Sequence, residues 1–304
     1  MDDSYVLDFV TLFKALVEFE EKFLGAKRTW HPVATGLARY FFEKFPAMRD
    51  AVKDLANVIC KASTDYMVLN DFLTEKKRSP MFSGSLGGIG AVAIIKIALR
   101  WAYKAKKTTL VCRNGKRYSA FEVRKGFTVF KTPHGPLVRI EGVFEGKTYY
   151  LWVKENHVND PLDLVDFAFY VMTHYQRLAT NEKITCIRLA DVKIKTGLCK
   201  LAWLLGSYTL DDKDKIWFIN QAFQEAELAY DQEGLILDVS SGVGMVRSMP
   251  RETPLELKGP VIGWLTQGDD PLPIAPFFAG YDAYQPSDVA EEDVEEQPAT
   301  RSFD

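Results

Sequence analysis

Residues Met81 to Tyr103, MFSGSLGGIGAVAIIKIALRWAY, constrain the fold more than any other part of the chain, because this is the one stretch apolar enough to decide between a soluble protein and a membrane-bound one. No charge stands between Ser79 and Ile95, and Lys96 alone interrupts the run to Leu99. That makes about 20 residues, close to the length of a bilayer crossing. Lys76, Lys77 and Arg78 precede it, and Arg100, Lys104, Lys106 and Lys107 follow. Against a span stand Gly84, Gly87, Gly88 and Gly90 with Ser83 and Ser85, which weaken the hydropathy, and Lys96, which would have to snorkel past one or two turns. The expectation is a glycine-rich helix, either inserted in a membrane or buried in a helical core. In both cases Gly84 and Gly88, four residues apart, would form a face for close helix association.

Charge is unevenly spread. Of a net formal charge of −3, the last 17 residues hold seven carboxylates against Arg301 alone, so the body is mildly basic and the tail acidic. From Pro286 on, the composition is that of a disordered segment. The amino terminus, Met1-Asp2-Asp3, has no signal-peptide character. Cys60, Cys112, Cys186 and Cys199 show no metal-ligand spacing and read as buried thiols in a reducing compartment.

Upstream of the central stretch the apolar residues recur at helical spacing. Ser4 is placed to cap a helix reaching about Leu24, a second helix covers about Val33 to Phe45, and Pro46 opens a third whose stripe runs from Met48 to Leu73. Downstream the period changes to two. Thr108 to Arg113 and Tyr118 to Val123 flank the hairpin signal Asn114-Gly115, and Phe127 to Lys131, Leu137 to Val143 and Thr148 to Lys154 extend a β-meander. Asp160-Pro161 starts a helix, strands follow at Ile184 to Leu189 and near Val192 to Ile194, and Asp211 or Asp212 opens a helix to about Gln232 that Gly234 stops. Leu235 to Val239 reads as a strand, and Val261 to Leu265 as an edge strand.

No motif commits the chain to a reaction. Gly142 to Thr148 misses the phosphate loop by one residue and lies between strands, and Gly88 to Ala93 has no strand before it to make a dinucleotide fingerprint. His31, His134, His157 and His174 are scattered, and Asp163, Asp166, Asp211, Asp212 and Asp214 sit where first-turn carboxylates complement a helix dipole. Gly242-Val243-Gly244, after a strand, would serve as a binding loop or a plain turn. No catalytic residue, cofactor or metal ligand is assigned. The β-rich region interleaves aromatic and basic residues as single-strand nucleic-acid binders do, and Arg124, Lys125, Lys131, Lys147, Tyr149 and Trp152 would be the contacts.

The glycine-rich run Gly84 to Lys107, the Pro-Gly turn and paired aromatic strands of Thr132 to Tyr149, and Asp212 to Gly234 with Glu225-Ala226-Glu227-Leu228-Ala229 together resemble the amino-terminal and middle regions of the Bcs-type AAA translocase of the mitochondrial inner membrane. No Walker A or Walker B occurs, so the resemblance implies a membrane-anchored scaffold or substrate-contacting module without the motor.

The reading is therefore an α+β protein: a helical amino-terminal domain (1–78), a glycine-rich hydrophobic helix (79–107), a β-rich domain with flanking helices (108–285) and a disordered acidic tail (286–304). The expected function is a non-enzymatic, membrane-associated assembly module with a protein partner or self-association. Its β domain would be cytoplasmic, or the whole chain cytoplasmic if the central helix is buried. A soluble single-stranded nucleic-acid binder and an enzyme with a dispersed site are the alternatives.

Overall fold

The computed structural model describes residues 4–34, 36–53, 55, 58–84, 90–95, 97–158, 160–235 and 254–287. The chain opens with β1 (Tyr5–Val6) and α1 (Phe9–Phe19), which continues through one π-helical turn, Glu20–Leu24. It goes on through α2 (Leu37–Lys53), β2 (Val58–Ser63), α3 (Tyr66–Glu75), β3 (Gly90–Ile95) and β4 (Leu99–Trp101). A strand-rich run follows: β5 (Lys106–Val111), β6 (Arg117–Val123), β7 (Phe127–Thr132), β8 (Gly135–Phe144) and β9 (Lys147–Glu155). After α4 (Pro161–His174) come β10 (Cys186–Ala190), β11 (Val192–Lys200), β12 (Tyr208–Leu210), β13 (Ile216–Phe218), β14 (Phe223–Asp231) and β15 (Gly234–Leu235). The last strands are β16 (Pro254–Glu256), β17 (Val261–Gln267) and β18 (Ile274–Ala279).

Local chemistry explains the helix starts. Asp8, not Ser4, caps α1, its carboxylate accepting from the main-chain N–H groups of Val10 and Thr11 at 3.1 and 3.2 Å. Asp65 caps α3 and Asp160 caps α4 in the same way, with Pro161 at the first helical position. Pro46 opens no helix; it lies inside α2, where Phe41, Phe42, Phe45 and Val52 are all buried on one side and hold the helix together across it.

The strands form one large sheet ordered β1-β18-β17-β9-β8-β4-β15-β14-β11, with β7 also on β8. A second sheet is ordered β16-β10-β6-β5; β12-β13 is a two-stranded hairpin, and β2-β3 is a two-stranded antiparallel pair connected through α3. Helices α1 and α2 are not a domain of their own. Phe9, Phe13, Phe41 and Phe45 share one buried cluster with Leu99, Ile140, Leu151, Tyr230 and Phe277 from the strands.

The central stretch is not a helix. Val92 and Ile94 pack with Leu69 and Leu73 of α3, while Ala91, Ala93 and Ile95 face the main core, so a nearly unbroken apolar run here is a strand covered on both faces. Among the described residues no helix is long and apolar enough to cross a membrane, which removes the single-pass, membrane-anchored reading. Gly84 lies in a bend with φ +62°, so it forms no helix face; Gly88 lies outside the described residues. The helix expected over 212–232 is also absent. Gln224, Leu228 and Tyr230 are its buried residues, a period of two, because pairing with β11 decides the conformation against the helix-forming Glu225-Ala226-Glu227-Leu228-Ala229. The strand expected over 261–265 is β17, but it lies between β9 and β18 and is no edge.

Candidate functional site

Among the described residues the strand array has a gap. β14 pairs along its length with β11, from Val192↔Tyr230 to Lys200↔Phe223. At its far end the chain turns back through Gln232 and Glu233 into β15, which pairs antiparallel with β14 (Tyr230↔Leu235, Asp231↔Gly234) and, on its other side, with β4 (Leu99↔Leu235, Arg100↔Gly234). A strand of two residues is thus held between two neighbours, antiparallel to both. β15 is described as far as Leu235, and among the described residues no strand lies between β14 and β3, which line the same cavity.

Several groups fix the closed end of this slot. The Glu233 N–H donates to Asp231 Oδ1 at 2.7 Å, shaping the turn, and the Trp101 indole N–H donates to the Asp231 carbonyl, also at 2.7 Å. Gly234 sits at φ +147°, and a Cβ there would run into the main-chain carbonyl of Leu99. Only glycine lets the chain pass that close to β4. Behind this end Asp191 accepts a hydrogen bond from Ser119 Oγ at 2.5 Å; burial, helped by the charge of Asp231, lifts its carboxyl from 3.8 to about 6.

The open part of the slot is an apolar cavity of about 290 Å³. Its floor is α1, with Leu12, Ala15 and Leu16, and its walls are Ala91 to Ile95 on β3 and Phe223 to Ala229 on β14. Gln224 ties β14 to the floor, its amide bridging the Asp8 main chain: Nε2 donates to the Asp8 carbonyl at 2.9 Å and Oε1 accepts from the Asp8 N–H at 3.2 Å. The Asp8 carboxyl is raised by burial against its cap bonds to Val10 and Thr11 and a further bond from the Ala275 N–H at 3.2 Å.

The arrangement offers strand-edge hydrogen bonding on two sides of an apolar trough, and little for catalysis. Among the described residues no three His, Cys, Asp or Glu side chains converge as a metal site. His134 lies in the β7–β8 turn, and His174 Nδ1 is engaged with the Tyr170 carbonyl at 2.8 Å. Of the six nucleic-acid contacts expected from the sequence, two are buried. Tyr149 and Trp152 are buried, with Tyr149 Oη on Gln267 and Trp152 Nε1 on Thr266, so neither ring can stack on a base. Arg124 is ion-paired to Glu122, while Lys125, Lys131 and Lys147 are exposed. The residues of the slot went unnamed in the sequence; the usable signal was the apolar run Leu235-Ile236-Leu237 after Gly234, with alternation only from Leu237 through Asp238 and Val239 to Ser240. Residues 236–253, including Gly242-Val243-Gly244, and the tail from 288 lie outside the described residues.

No family model matches the chain, and no curated protein matches it in sequence. Solved structures do match in fold. A thermophilic serpin, Tengpin, in its native state, is 8% identical with a TM-score of 0.58, over 92% of this chain and 89% of that one. The mouse protein-Z dependent protease inhibitor is 12% identical with a TM-score of 0.54, over 92% of this chain and 91% of that one. Thyroxine-binding globulin, in complex with thyroxine, is 8% identical with a TM-score of 0.55, over 93% and 94%. These whole-chain matches replace the resemblance to the Bcs-type translocase, whose membrane helix and Asp212 to Gly234 helix are strands here. At such identities the likeness speaks for the fold alone: this chain has a serpin fold.

Proposed function

We propose that the chain is a non-catalytic binding protein that offers residues 236–253 to a protein partner of the protease class, and that the first part of this segment enters the slot as a strand. The observation that carries the reading is β15, already paired on both sides at the closed end of the slot. Continuing its register would set residue 237 opposite Leu228 and Ile97, and residue 239 opposite Ala226 and Ile95. All four partners face the main core. Leu237 and Val239 would then bury, while Asp238 and Ser240 would face outward. Strand addition to exposed sheet edges, including insertion of a serpin's reactive loop into its sheet, is an established mode of this physics. Arg247 and Arg251 suit a serine protease with a carboxylate at the foot of its specificity pocket.

The test is to titrate the full chain into trypsin and follow both the enzyme's activity and the chain by mass. Cleavage confined to Arg247 or Arg251, or loss of enzyme activity, supports the reading; indifference of the segment to the protease, with cleavage elsewhere, overturns it. The apolar trough favours a second reading, a carrier for a small hydrophobic ligand. Thyroxine-binding globulin, with thyroxine in its structure, shares the fold. Saturable binding of an apolar dye that a 236–244 peptide fails to displace would favour it.

A further inference from the structure

The second sheet ends on β5, whose six residues pair with β6 without a break, from Lys106↔Glu122 to Val111↔Arg117. Among the described residues no strand pairs with the other side of β5. The Cys112 N–H donates to the Lys116 carbonyl at 3.0 Å, which fixes the phase of the ladder. Lys106, Thr108 and Leu110 turn their main-chain groups to β6, and Thr109 and Val111 turn theirs to the open side. Ser119, opposite Thr109, agrees with this phase: its N–H points away from β5 and donates to the Gln285 carbonyl at 3.0 Å. With no bulge and no proline, β5 is a full-length edge of the kind that pairs with another chain.

Charge decides what can pair there. From Lys104 to Val123 the chain carries Lys104, Lys106, Lys107, Arg113, Lys116 and Arg117 against one carboxylate, Glu122. Glu122 is buried and already held by Arg124 and Arg188, at 2.6 and 2.7 Å. Arg113 is paired with Glu155 at 2.5 Å, whereas Lys104, Lys106, Lys116 and Arg117 are exposed and have no ion pair among the described residues. Lysine on an edge strand ordinarily keeps copies of a sheet apart. The same charges that repel a basic strand attract an acidic one. Val111, exposed at the end of the edge, and the half-buried Thr108 and Thr109 add β-branched surface for a pleated neighbour.

We propose that β5 is the docking edge for an acidic, extended segment of a partner protein, which adds to the second sheet as a strand beyond β5. Its main-chain groups would pair with those of Thr109 and Val111. Its carboxylates would meet Lys104 and Lys106 at one end and Lys116 and Arg117 at the other. The open main-chain groups favour a peptide over other polyanions, because they are matched by a strand. This edge belongs to a different sheet from the slot, so its role does not depend on strand entry.

The probe is a fluorescein-labelled ten-residue peptide alternating Glu and Val, read by anisotropy against the full chain at low salt. Strand addition predicts saturable binding that weakens at least about tenfold when alternate amides of the peptide are N-methylated. The double variant Lys104→Glu, Lys106→Glu should weaken it at least about tenfold as well. Thr109→Pro removes an open-edge donor and no ladder bond, and a loss of about fivefold is expected. Circular dichroism verifies the fold of each variant, and the charge variant and the N-methylated peptide carry the test should Thr109→Pro not fold. No binding by the full chain overturns the proposal. Equal affinity for the N-methylated peptide overturns it too, leaving only a surface that attracts anions. Binding that appears only once residues 288–304 are removed overturns it in favour of the chain's own acidic tail as the occupant.

Discussion

Trp101 and Asp231 are joined by a single hydrogen bond, indole N–H to main-chain carbonyl at 2.7 Å, that reaches from β4 to β14 past the two-residue strand between them. It is the clasp at the closed end of the slot. Trp101→Phe keeps an aromatic ring against Phe121, which stacks on Trp101 at 5.8 Å, and deletes only the donor. A loss of about 1 kcal/mol in urea unfolding is expected; an unchanged midpoint would mean the clasp contributes nothing.

Gly234 admits β15 to its place. Gly234→Ala would put a methyl group against the Leu99 carbonyl at a backbone angle that side chains rarely adopt. A destabilisation of about 2–3 kcal/mol is expected, together with faster hydrogen exchange at Leu99 and Leu235. Exchange unchanged at both amides would show that β15 is not held as described.

The core beside α1 carries a buried ion pair whose removal should be asymmetric. Glu20 accepts from Arg49 Nη2 at 2.8 Å, from the Trp30 indole at 2.9 Å and from the Arg28 N–H at 3.2 Å, and burial nonetheless raises its carboxyl above the ordinary range. Arg49→Met leaves that carboxylate uncompensated and should cost about 3–5 kcal/mol, while Arg49→Met with Glu20→Leu should recover most of it. Thermal melts of the two variants decide, and equal melting temperatures would contradict the asymmetry.

Asp191 gives the fold a pH dependence of definite sign. Its folded value of about 6 lies above the ordinary 3.8, so the folded chain binds this proton more tightly than the unfolded chain does. The stability contributed by the protonated form is complete below about pH 4 and is lost as the pH rises through 6. Asp191→Asn should flatten this segment and stabilise the protein at pH 7 by about 1–2 kcal/mol, allowing for the solvent that still reaches the site. Glu122 and Glu256, held below the ordinary carboxylate value by the arginines and lysine around them, pull the opposite way. The difference between wild type and variant is therefore the quantity to plot, and a difference constant from pH 4 to 7 would refute the assignment.

Where turn chemistry is local, the sequence is legible. Asn114-Gly115 marks the β5–β6 hairpin, the strands of β7 to β9 fall where the period-two pattern puts them, and Asp160-Pro161 starts α4. Where long-range pairing overrides local preference, it is not. Val58 to Ser63 has a helical stripe yet pairs with β3, and Glu225 to Ala229 are good helix formers drawn into a strand by β11. The central apolar run is long enough for a membrane helix, and nothing in it announces that α3 and the main core will cover its two faces. The slot is harder still to foresee, because it is a relation between β3 and β14, far apart in sequence, and not a motif within either.

The central claim is that the slot takes up a strand from residues 236–243. The direct measurement is thermal unfolding of the full chain before and after a single cut at Arg247 or Arg251, with both fragments still associated. Burying Leu237 and Val239 and pairing both open edges should raise the melting temperature by at least about 5 °C. A melting temperature that stays level or falls after the cut would contradict the account.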